Sequence, residues 1–173
     1  MPIMKSMEPE KNRYMDGIRI VGWTCFLLYL GALTYFMFFA DNWGRRQLSD
    51  VYSYNFVPFR EIGRYLRYWK QIGFTRVVLN LAGNIVGFMP FGFFVPLLFR
   101  FHRDIPFIAG ISFCFSAAIE FIQLVSRVGC CDVDDVILNT LGGLLGYALF
   151  IVLRDYRRKV KWQREQDQTG QDG

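Results

Sequence analysis

Long apolar blocks alternate with shorter charged segments along this chain. Measured from charge to charge, the blocks cover residues 20–40, 77–99, 105–126 and 136–153, and the third contains one charge, Glu120. A helix rises about 1.5 Å per residue, so about 20 such residues cross a hydrocarbon layer of about 30 Å. The pattern predicts an all-α, polytopic membrane protein with four transmembrane helices, at about residues 18–40, 77–99, 105–126 and 136–153.

The composition points to the same class of protein. Hydrophobic residues make up 53% of the 173 residues, aromatic residues make up 18%, and the mean hydropathy is +0.20. The polar surface of a soluble domain of this length normally brings the mean hydropathy below zero. The composition also excludes an intrinsically disordered chain and a disulfide-stapled secreted domain.

The blocks divide the chain into three parts. Residues 1–17 form an N-terminal segment, residues 18–154 form the membrane domain, and residues 155–173 form a basic tail that we expect to be partly disordered. The residues before Ile20, the second loop and the residues from Arg154 onward together hold 12 Lys and Arg residues, against 8 in the first and third loops. The positive-inside rule therefore predicts that both termini are cytoplasmic.

The first loop carries an amphipathic pattern from residue 59 onward. Apolar side chains recur at spacings of three and four residues, at Phe59, Ile62, Leu66 and Trp69. Basic side chains mostly fill the opposite side, at Arg60, Arg64, Arg67 and Lys70. The pattern predicts an interfacial helix, which serves either as a surface anchor or as a site for anionic head groups.

Three of the predicted transmembrane helices carry a polar stripe along one face. Counted at about 1.5 Å per residue, the polar side chains lie at similar depth on the side of the first and third loops. The candidates for a ligand-binding pocket are Asn80, Asn84, Glu120, Gln123, Asp132, Asp135 and Asn139. Because such groups are costly in lipid, we expect them to face one another or a wet cavity. No catalytic residue is assigned.

These polar residues also have structural explanations. Buried Asn and Gln often serve only to hydrogen-bond neighbouring helices. Asp132, Asp134 and Asp135 stand where the fourth helix begins, so they can cap it. Glu120 is the strongest candidate for a functional site because an intramembrane carboxylate is expensive, and its structural alternative is a partnership with Arg127 or Arg76.

Two glycine pairs have the GxxxG spacing that brings membrane helices close together. They are Gly83 with Gly87 on the second helix, and Gly142 with Gly146 on the fourth. Small residues at this spacing let two backbones approach. We expect both pairs to be packing devices.

Cysteine and histidine give little sign of a cofactor. The four cysteines include no CxxC pair, and the one histidine, His102, lies in the second loop, away from the polar stripes. Zinc chemistry and a Ser-His-Asp triad therefore lack their ligands and base. No phosphate-binding glycine loop is present. We predict no cofactor, no metal and no nucleic-acid partner, with a cation on the aspartates of the fourth helix as the alternative to capping.

Several motifs are similar to those of one known family. They are residues 55–59 (NFVPF), residues 80–92 (NLAGNIVGFMPFG), residues 116–120 with Gln123, and residues 132–143 (DVDDVILNTLGG). In order and spacing, over about residues 55–149, they resemble the VanZ-like membrane proteins. The resemblance carries the family pattern onto Asn55, Pro58, Asn80, Asn84, Pro90, Gly92, Glu120, Gln123, Asp132, Asp135 and Asn139.

The resemblance implies a multi-pass protein of the bacterial plasma membrane that acts on the cell envelope. The family's namesake is associated with low-level resistance to the glycopeptide teicoplanin in Gram-positive bacteria. We therefore expect an outward-facing pocket for a lipid-linked or amphiphilic ligand, such as a cell-wall precursor or a lipoglycopeptide, with membrane lipids as partners. The candidates for contact with its head group are Arg60, Arg64, Arg67 and Arg127.

The alternative function is that of a membrane-embedded enzyme that modifies a lipid head group. Glu120 and Asp135 could serve as general base and electrostatic anchor if burial separated their pKa values. The lack of an obvious nucleophile counts against this alternative. The sequence leaves the question of an enzymatic activity open.

Overall fold

The computed structural model of the protein describes residues 8–38, 54–99, 104–128 and 130–171. Helices account for most of these residues. In chain order the elements are α1 (Glu8–Phe38), β1 (Tyr54–Asn55), α2 (Arg60–Arg67), α3 (Trp69–Ile72), α4 (Phe74–Leu98), α5 (Ile105–Ser126), β2 (Cys131–Asp132) and α6 (Val133–Gln171).

Among the described residues, four helices are long and apolar enough to cross a membrane, namely α1, α4, α5 and α6. Large apolar side chains on their outer faces are exposed, among them Leu28, Val86, Phe121 and Val152. Lipid solvates such side chains, and a helix keeps its backbone groups hydrogen-bonded within the hydrocarbon. The prediction of an all-α, polytopic fold with four transmembrane helices is confirmed.

The first and last helices extend beyond the predicted membrane segments. α1 begins at Glu8, within the predicted N-terminal segment, and its predicted end at Ala40 lies outside the described residues. α6 begins at Val133 rather than at Val136 and continues to Gln171. The structure thus differs from the expected partly disordered tail, because the tail is helical as far as Gln171.

The closest helix contact joins α4 to α6. A Cβ atom added at Gly142 would overlap the backbone of Ile85, and one added at Gly146 would overlap that of Met89. Gly92, on the α4 side, is equally tight. Only hydrogen fits at these positions, as is typical of small residues between membrane helices. Since the contacts advance in the same direction along both chains, α4 and α6 run parallel.

The other GxxxG pair has a different environment. A Cβ atom added at Gly83 would meet nothing within 4 Å, and one added at Gly87 would lie 3.8 Å from the side chain of Leu33. The expectation of close helix packing is therefore confirmed for Gly142 and Gly146 and wrong for Gly83 and Gly87. The reason is that, among the residues that the structure describes, no neighbouring backbone comes close to this face of α4.

An apolar core fills the half of the bundle that lies away from the first and third loops. Its buried members include Phe26, Val95, Ile108 and Phe150. Phe91 belongs to the same core, and its ring stacks on that of Phe115 with the centroids 4.6 Å apart. The buried polar side chains are concentrated in the other half, where the loops lie, and we call that end of the bundle the loop end.

The predicted interfacial helix is present as two short helices, α2 and α3, which are divided at Tyr68. Leu66 and Trp69 are 63% and 44% exposed, next to the exposed Arg64 and Arg67. Apolar and basic side chains exposed together are typical of a helix that lies in the membrane interface. The periodicity of the sequence predicts one continuous helix and does not indicate the break at Tyr68.

The glycine contacts predict a difference between two alanine variants. Gly146→Ala forces a methyl group against the backbone of α4, so it should lower the free energy of unfolding by about 2 kcal/mol or more. Gly83→Ala enters open space and improves helix propensity, so it should leave stability unchanged or raise it by up to about 1 kcal/mol. Thermal unfolding of both variants in one detergent measures the difference, and equal losses would contradict the assigned contacts.

Candidate functional site

The first and third loops pair through their backbones at the loop end. β1 and β2 form a two-residue parallel ladder in which Tyr54 lies opposite Cys131 and Asn55 lies opposite Asp132. This pairing places the two loops on one side of the bundle, as the alternation of the helices predicts. It also brings the side chains of Asn55 and Asp132 together.

The carboxylate of Asp134 binds the start of α2. One oxygen accepts the N–H of Phe59, and the other accepts the N–H groups of Glu61 and Ile62 at 2.8 and 3.0 Å. The first N–H groups of a helix have no partner within it, and their partial positive charge favours an anion. Asp134 is only 1% exposed. The cap of α2 is therefore supplied by a residue at the start of α6.

Phe59 has a strained backbone next to this carboxylate. Its φ of 63° and ψ of 8° lie in the left-handed region, which costs a bulky residue about 1–3 kcal/mol. The N–H of Phe59 is one of the three that Asp134 binds. The same carboxylate thus caps α2 and holds the turn that leads into it.

Asp132 connects four elements. Its Oδ1 atom accepts from Nδ2 of Asn55 at 3.0 Å and from the N–H of Asp134 at 2.9 Å. The second bond caps α6, so the capping role predicted for this residue is confirmed. The N–H of Asp132 donates to Oε2 of Glu120 at 2.9 Å. One residue therefore links the first loop, the third loop, α5 and α6.

Burial raises the pKa of Asp132 above its usual value of 3.8. The hydrogen bonds from the N–H of Asp134 and from Asn55 act in the opposite direction, because they favour the carboxylate form. Desolvation outweighs them, and the charge of Asp134 adds repulsion. Asp132 consequently keeps its proton to a higher pH than an exposed aspartate does.

A further bond between carboxylate and amide joins α4 to α6. Nδ2 of Asn84 donates to Oδ1 of Asp135, and Asn84 is 1% exposed. Asn84 stands eight residues after Arg76, which corresponds to about 12 Å along the helix. The bond therefore removes from lipid an amide that lies well inside the membrane-spanning part of α4.

Glu120 and Gln123 lie on the buried face of α5 and are 3% and 7% exposed. The carboxylate of Glu120 accepts the bond from Asp132. Nε2 of Gln123 donates to the carbonyl oxygen of Met37 at 3.1 Å. The first side chain fixes the third loop, and the second fixes the end of α1 against α5.

The other two predicted pocket residues make separate contacts. Nδ2 of Asn139 donates to Oγ of Ser116 at 2.8 Å, and both residues are fully buried. Nδ2 of Asn80 donates to the carbonyl oxygen of Arg76 within its own helix. Asn139 thus ties α6 to α5, while Asn80 bonds along α4.

Of the seven predicted pocket residues, the structure brings four together at the loop end with two others, through hydrogen bonds among Asn55, Glu120, Asp132 and Asp134 and a bond from Asn84 to Asp135. We call this group the polar cluster, and it consists of Asn55, Asn84, Glu120, Asp132, Asp134 and Asp135. Gln123 and Asn139 are buried on neighbouring parts of α5 and α6. The polar residues therefore face one another, as the cost of placing them in lipid requires.

The basic candidates lie at the same end of the bundle. Arg60, Arg64 and Arg67 are exposed on α2, and Arg64 forms an ion pair with Glu61. Arg127 ends α5 with a positive φ of 55°, and its N–H donates to the carbonyl oxygen of Leu124 at 3.2 Å. The loop end therefore presents exposed positive charge on α2 and at the end of α5.

Two members of the polar cluster were missed among the predicted pocket residues. The sequence indicates Asn55 only through the resemblance to the family, and Asp134 only with its neighbours, as a helix cap or as a ligand of a cation. The available signal was the run Asp132-Val133-Asp134-Asp135, which holds more carboxylates than one N-cap needs. Its partners could not be inferred, because they are backbone N–H groups about 75 residues earlier in the chain.

A cavity of about 370 Å³ borders the polar cluster at Asn84. Its other lining residues are apolar, apart from Tyr29, whose hydroxyl donates to the carbonyl oxygen of Gly87 at 2.9 Å. The expected pocket was to be lined by polar side chains. The side chains of the polar cluster instead hydrogen-bond to one another and to backbone groups. The cavity beside them is lined mainly by apolar residues.

The carboxylates of the polar cluster do not converge on a single point. Within the described ranges, no three His, Cys, Asp or Glu side chains are grouped so that they could hold a metal ion. The carboxylates of Asp134 and Asp132 accept hydrogen bonds from backbone N–H groups. These donors occupy the position at which a cation would bind the carboxylate oxygens.

These features define a polytopic membrane protein of four transmembrane helices, with a polar cluster near one membrane face and a basic surface helix fastened over it. Residues 26–154 match the family described as VanZ/LLP1, and the chain belongs to this family. It is similar to Protein VanZ of Enterococcus faecium, with 27% identity over 141 residues that make up 79% of this chain and 78% of that protein. No solved structure matches the chain.

The raised pKa of Asp132 predicts how stability depends on pH. At pH values between 3.8 and the raised pKa, Asp132 binds more protons in the folded protein than in the unfolded chain. Its contribution to the free energy of unfolding therefore falls as the pH rises. Asp132→Asn keeps the accepting oxygen and removes the charge. The unfolding temperature of Asp132→Asn relative to wild type should therefore increase from about pH 4 to about pH 7. A difference that is constant across this range would contradict the assignment.

Proposed function

We propose that this protein is a multi-pass protein of the bacterial plasma membrane, with both termini in the cytoplasm and the loop end facing outward. At the loop end it recognises a lipid-linked or amphiphilic ligand of the cell envelope. In this way it contributes to resistance against the glycopeptide teicoplanin. The ligand contacts the arginines of α2 through its anionic head group and reaches the polar cluster below them.

The observation that carries the proposal is the bond between a basic surface helix and a group of buried polar residues. The carboxylate of Asp134 holds the start of α2, so Arg60, Arg64 and Arg67 stay next to the polar cluster. Arginine binds phosphate and carboxylate groups in a fixed, bidentate geometry. An anionic head group in the outer leaflet would therefore be attracted to this end of the protein.

The link to antibiotic resistance rests on the relatives of the chain. The chain belongs to the VanZ/LLP1 family, and its similarity to Protein VanZ extends over 79% of its length. The match to the family covers residues 26–154, which include most or all of each helix that could cross a membrane. The shared region therefore contains the complete polar cluster, which is the part of the protein that the proposal uses.

The alternative, an enzyme that modifies a lipid head group, has less support. Here the carboxylates each hold a part of the fold in place. Asp134 binds the start of α2, Asp132 binds the start of α6, Glu120 binds the third loop, and Asp135 binds the amide of Asn84. The hydrogen bonds favour binding and positioning over proton transfer.

The proposal predicts a loss of resistance when charges in the polar cluster are removed. In a sensitive Gram-positive host, expression of the wild type should raise the inhibitory concentration of teicoplanin, whereas Glu120→Gln and Asp135→Asn should not. Both substitutions keep an accepting oxygen, so the loss would come from the charge. Asp155→Asn, on the part of α6 beyond the polar cluster, is the matched control and should protect like the wild type.

Membrane levels of all four proteins must be equal in that experiment. Resistance that survives both substitutions would contradict the proposed role of the polar cluster. A wild type that is well expressed and gives no protection would refute the link to resistance.

The proposed orientation predicts the labelling of a native cysteine. Cys130 lies exposed in the third loop, so a membrane-impermeant maleimide should label it in intact cells or protoplasts. The variant for this test keeps Cys130 and carries serine in place of Cys25, Cys114 and Cys131. Gln166→Cys, placed at the other end in a cysteine-free chain, should react only after permeabilisation. Labelling of Cys130 only after permeabilisation would reverse the orientation.

A further inference from the structure

The cavity next to the polar cluster forms a groove between α1 and α4, which we call the lateral groove. Its residues are Tyr29, Ala32, Leu33, Phe36, Met37, Leu79, Gly83, Asn84, Val86, Gly87 and Pro90. Ala32, Phe36, Gly83 and Val86 are exposed. In a membrane these residues face lipid, so the lateral groove opens sideways into the bilayer.

The missing side chains of Gly83 and Gly87 create the lateral groove. A Cβ atom at Gly83 would meet nothing within 4 Å, and one at Gly87 would be in ordinary contact with Leu33. The other glycine pair, Gly142 and Gly146, is filled by the backbone of α4. On one side of α4 the backbone of α6 thus comes into contact at these glycines, whereas the other side leaves, among the described residues, a space that an external group can fill.

The chemistry of the lining selects an apolar occupant. The two polar side chains in the lateral groove already have partners, since Asn84 donates to Asp135 and Tyr29 donates to the carbonyl oxygen of Gly87. The remaining lining is hydrocarbon. A polar ligand would lose its hydration there without gaining hydrogen bonds, whereas a hydrocarbon chain would not.

The dimensions of the lateral groove limit the occupant to one chain from one leaflet. On α4 it runs from Leu79 to Pro90, which corresponds to about 16 Å, or about half of a hydrocarbon layer of about 30 Å. The volume of the lateral groove is about 370 Å³. A helix, with a diameter of about 10 Å, is too wide to enter.

The position of the lateral groove fixes the charge of the head group. Its end at Leu79 lies three residues, or about 5 Å, from Arg76 at the membrane surface. α2 and α3 both contact α4 at this end. α2 carries the exposed Arg60, Arg64 and Arg67. A lipid whose chain enters the lateral groove therefore has its head group among arginines, which favours an anionic head group.

We infer that the lateral groove binds one acyl chain of an anionic phospholipid of the leaflet at the loop end. This inference rests on the proposed function, for which it supplies a site: the phospholipid chain occupies the apolar space beside Asn84, and its phosphate meets the arginines of the loop end. Gly83 is the residue that keeps the space open.

Photo-crosslinking of the full-length protein in nanodiscs tests the inference. The probe is phosphatidylglycerol with a diazirine in one acyl chain, and peptide mass spectrometry locates the adducts. Adducts should concentrate on residues 29–37 of α1 and 79–90 of α4. Gly83→Leu should reduce them at least about tenfold because its side chain fills the space. Gly110→Leu, at another exposed glycine with open space around it, is the matched control and should leave them unchanged.

Three results would overturn the inference. The first is an even spread of adducts over all lipid-facing surfaces, which would indicate bulk lipid. The second is undiminished labelling in Gly83→Leu, with a thermal unfolding curve that shows the variant is folded. The third is a different preference among the probes. Either phosphatidylcholine with the same chains labels the lateral groove equally, or only a photoreactive lipid-linked precursor or lipoglycopeptide labels it.

Labelling is measured without any antibiotic, so it reports on the lateral groove independently of resistance. If labelling follows the expected pattern while the wild type gives no teicoplanin protection, the proposed function fails and the lateral groove stands. If protection depends on the polar cluster while the lateral groove is not labelled, the inference fails and the proposed function stands.

Discussion

A buried carboxylate at the start of the last transmembrane helix holds the start of the first surface helix. Asp134 binds three N–H groups of the segment 59–62 and is almost completely buried. α2 has only eight residues, and isolated helices shorter than about 12 residues are marginal in water. The bond to Asp134 therefore stabilises α2 and, together with the contacts of α2 with α4 and α6, fixes its position. The arginines that the proposed function uses are held at the loop end in this way.

The same region shows why so many polar groups lie together. Each carboxylate near the membrane needs a partner, because an unpaired charge in a medium of low dielectric constant is strongly disfavoured. Asp132 bonds to Asn55 and to α6, Glu120 bonds to Asp132, and Asp135 bonds to Asn84. The bonds connect four parts of the chain that are distant in sequence, at Asn55, at Asn84, at Glu120 and at residues 132–135. Removal of one hydrogen-bonding partner would leave the other buried and unpaired, at the same cost in free energy. The residues of the polar cluster therefore depend on one another.

The packing of α4 is asymmetric, and this asymmetry has a simple cause. On one side, Gly142 and Gly146 let the backbone of α6 approach directly. On the other side, Gly83 and Gly87 face α1 without a backbone to fill the space, which leaves the lateral groove. The open side lies next to the polar cluster, where an amphiphile can place its chain and its head group at the same time.

Much of the fold could be predicted from the sequence because the number of residues in each uncharged segment matches the thickness of the hydrocarbon layer. The four helices and the shared side of the first and third loops follow from this rule. The two glycine pairs could not be told apart, since their spacing is identical and the difference lies in the neighbouring helices. The partners of Asp134 could not be predicted either, because every residue carries an N–H group and the sequence does not mark which ones are unpaired. The polar stripes did predict the grouping of Asn84, Glu120, Asp132 and Asp135.

Hydrogen exchange at the start of α2 tests the central claim most directly. In nanodiscs, the amides of Phe59, Glu61 and Ile62 should be protected in the wild type. Asp134→Asn should speed their exchange by about tenfold or more, because a bond to a charged acceptor contributes about 1.5–3 kcal/mol. Asp104→Asn, at an exposed position whose side chain caps no helix, should leave them protected. Equal exchange in wild type and Asp134→Asn would contradict the account, because the first loop would then be held by something other than this carboxylate.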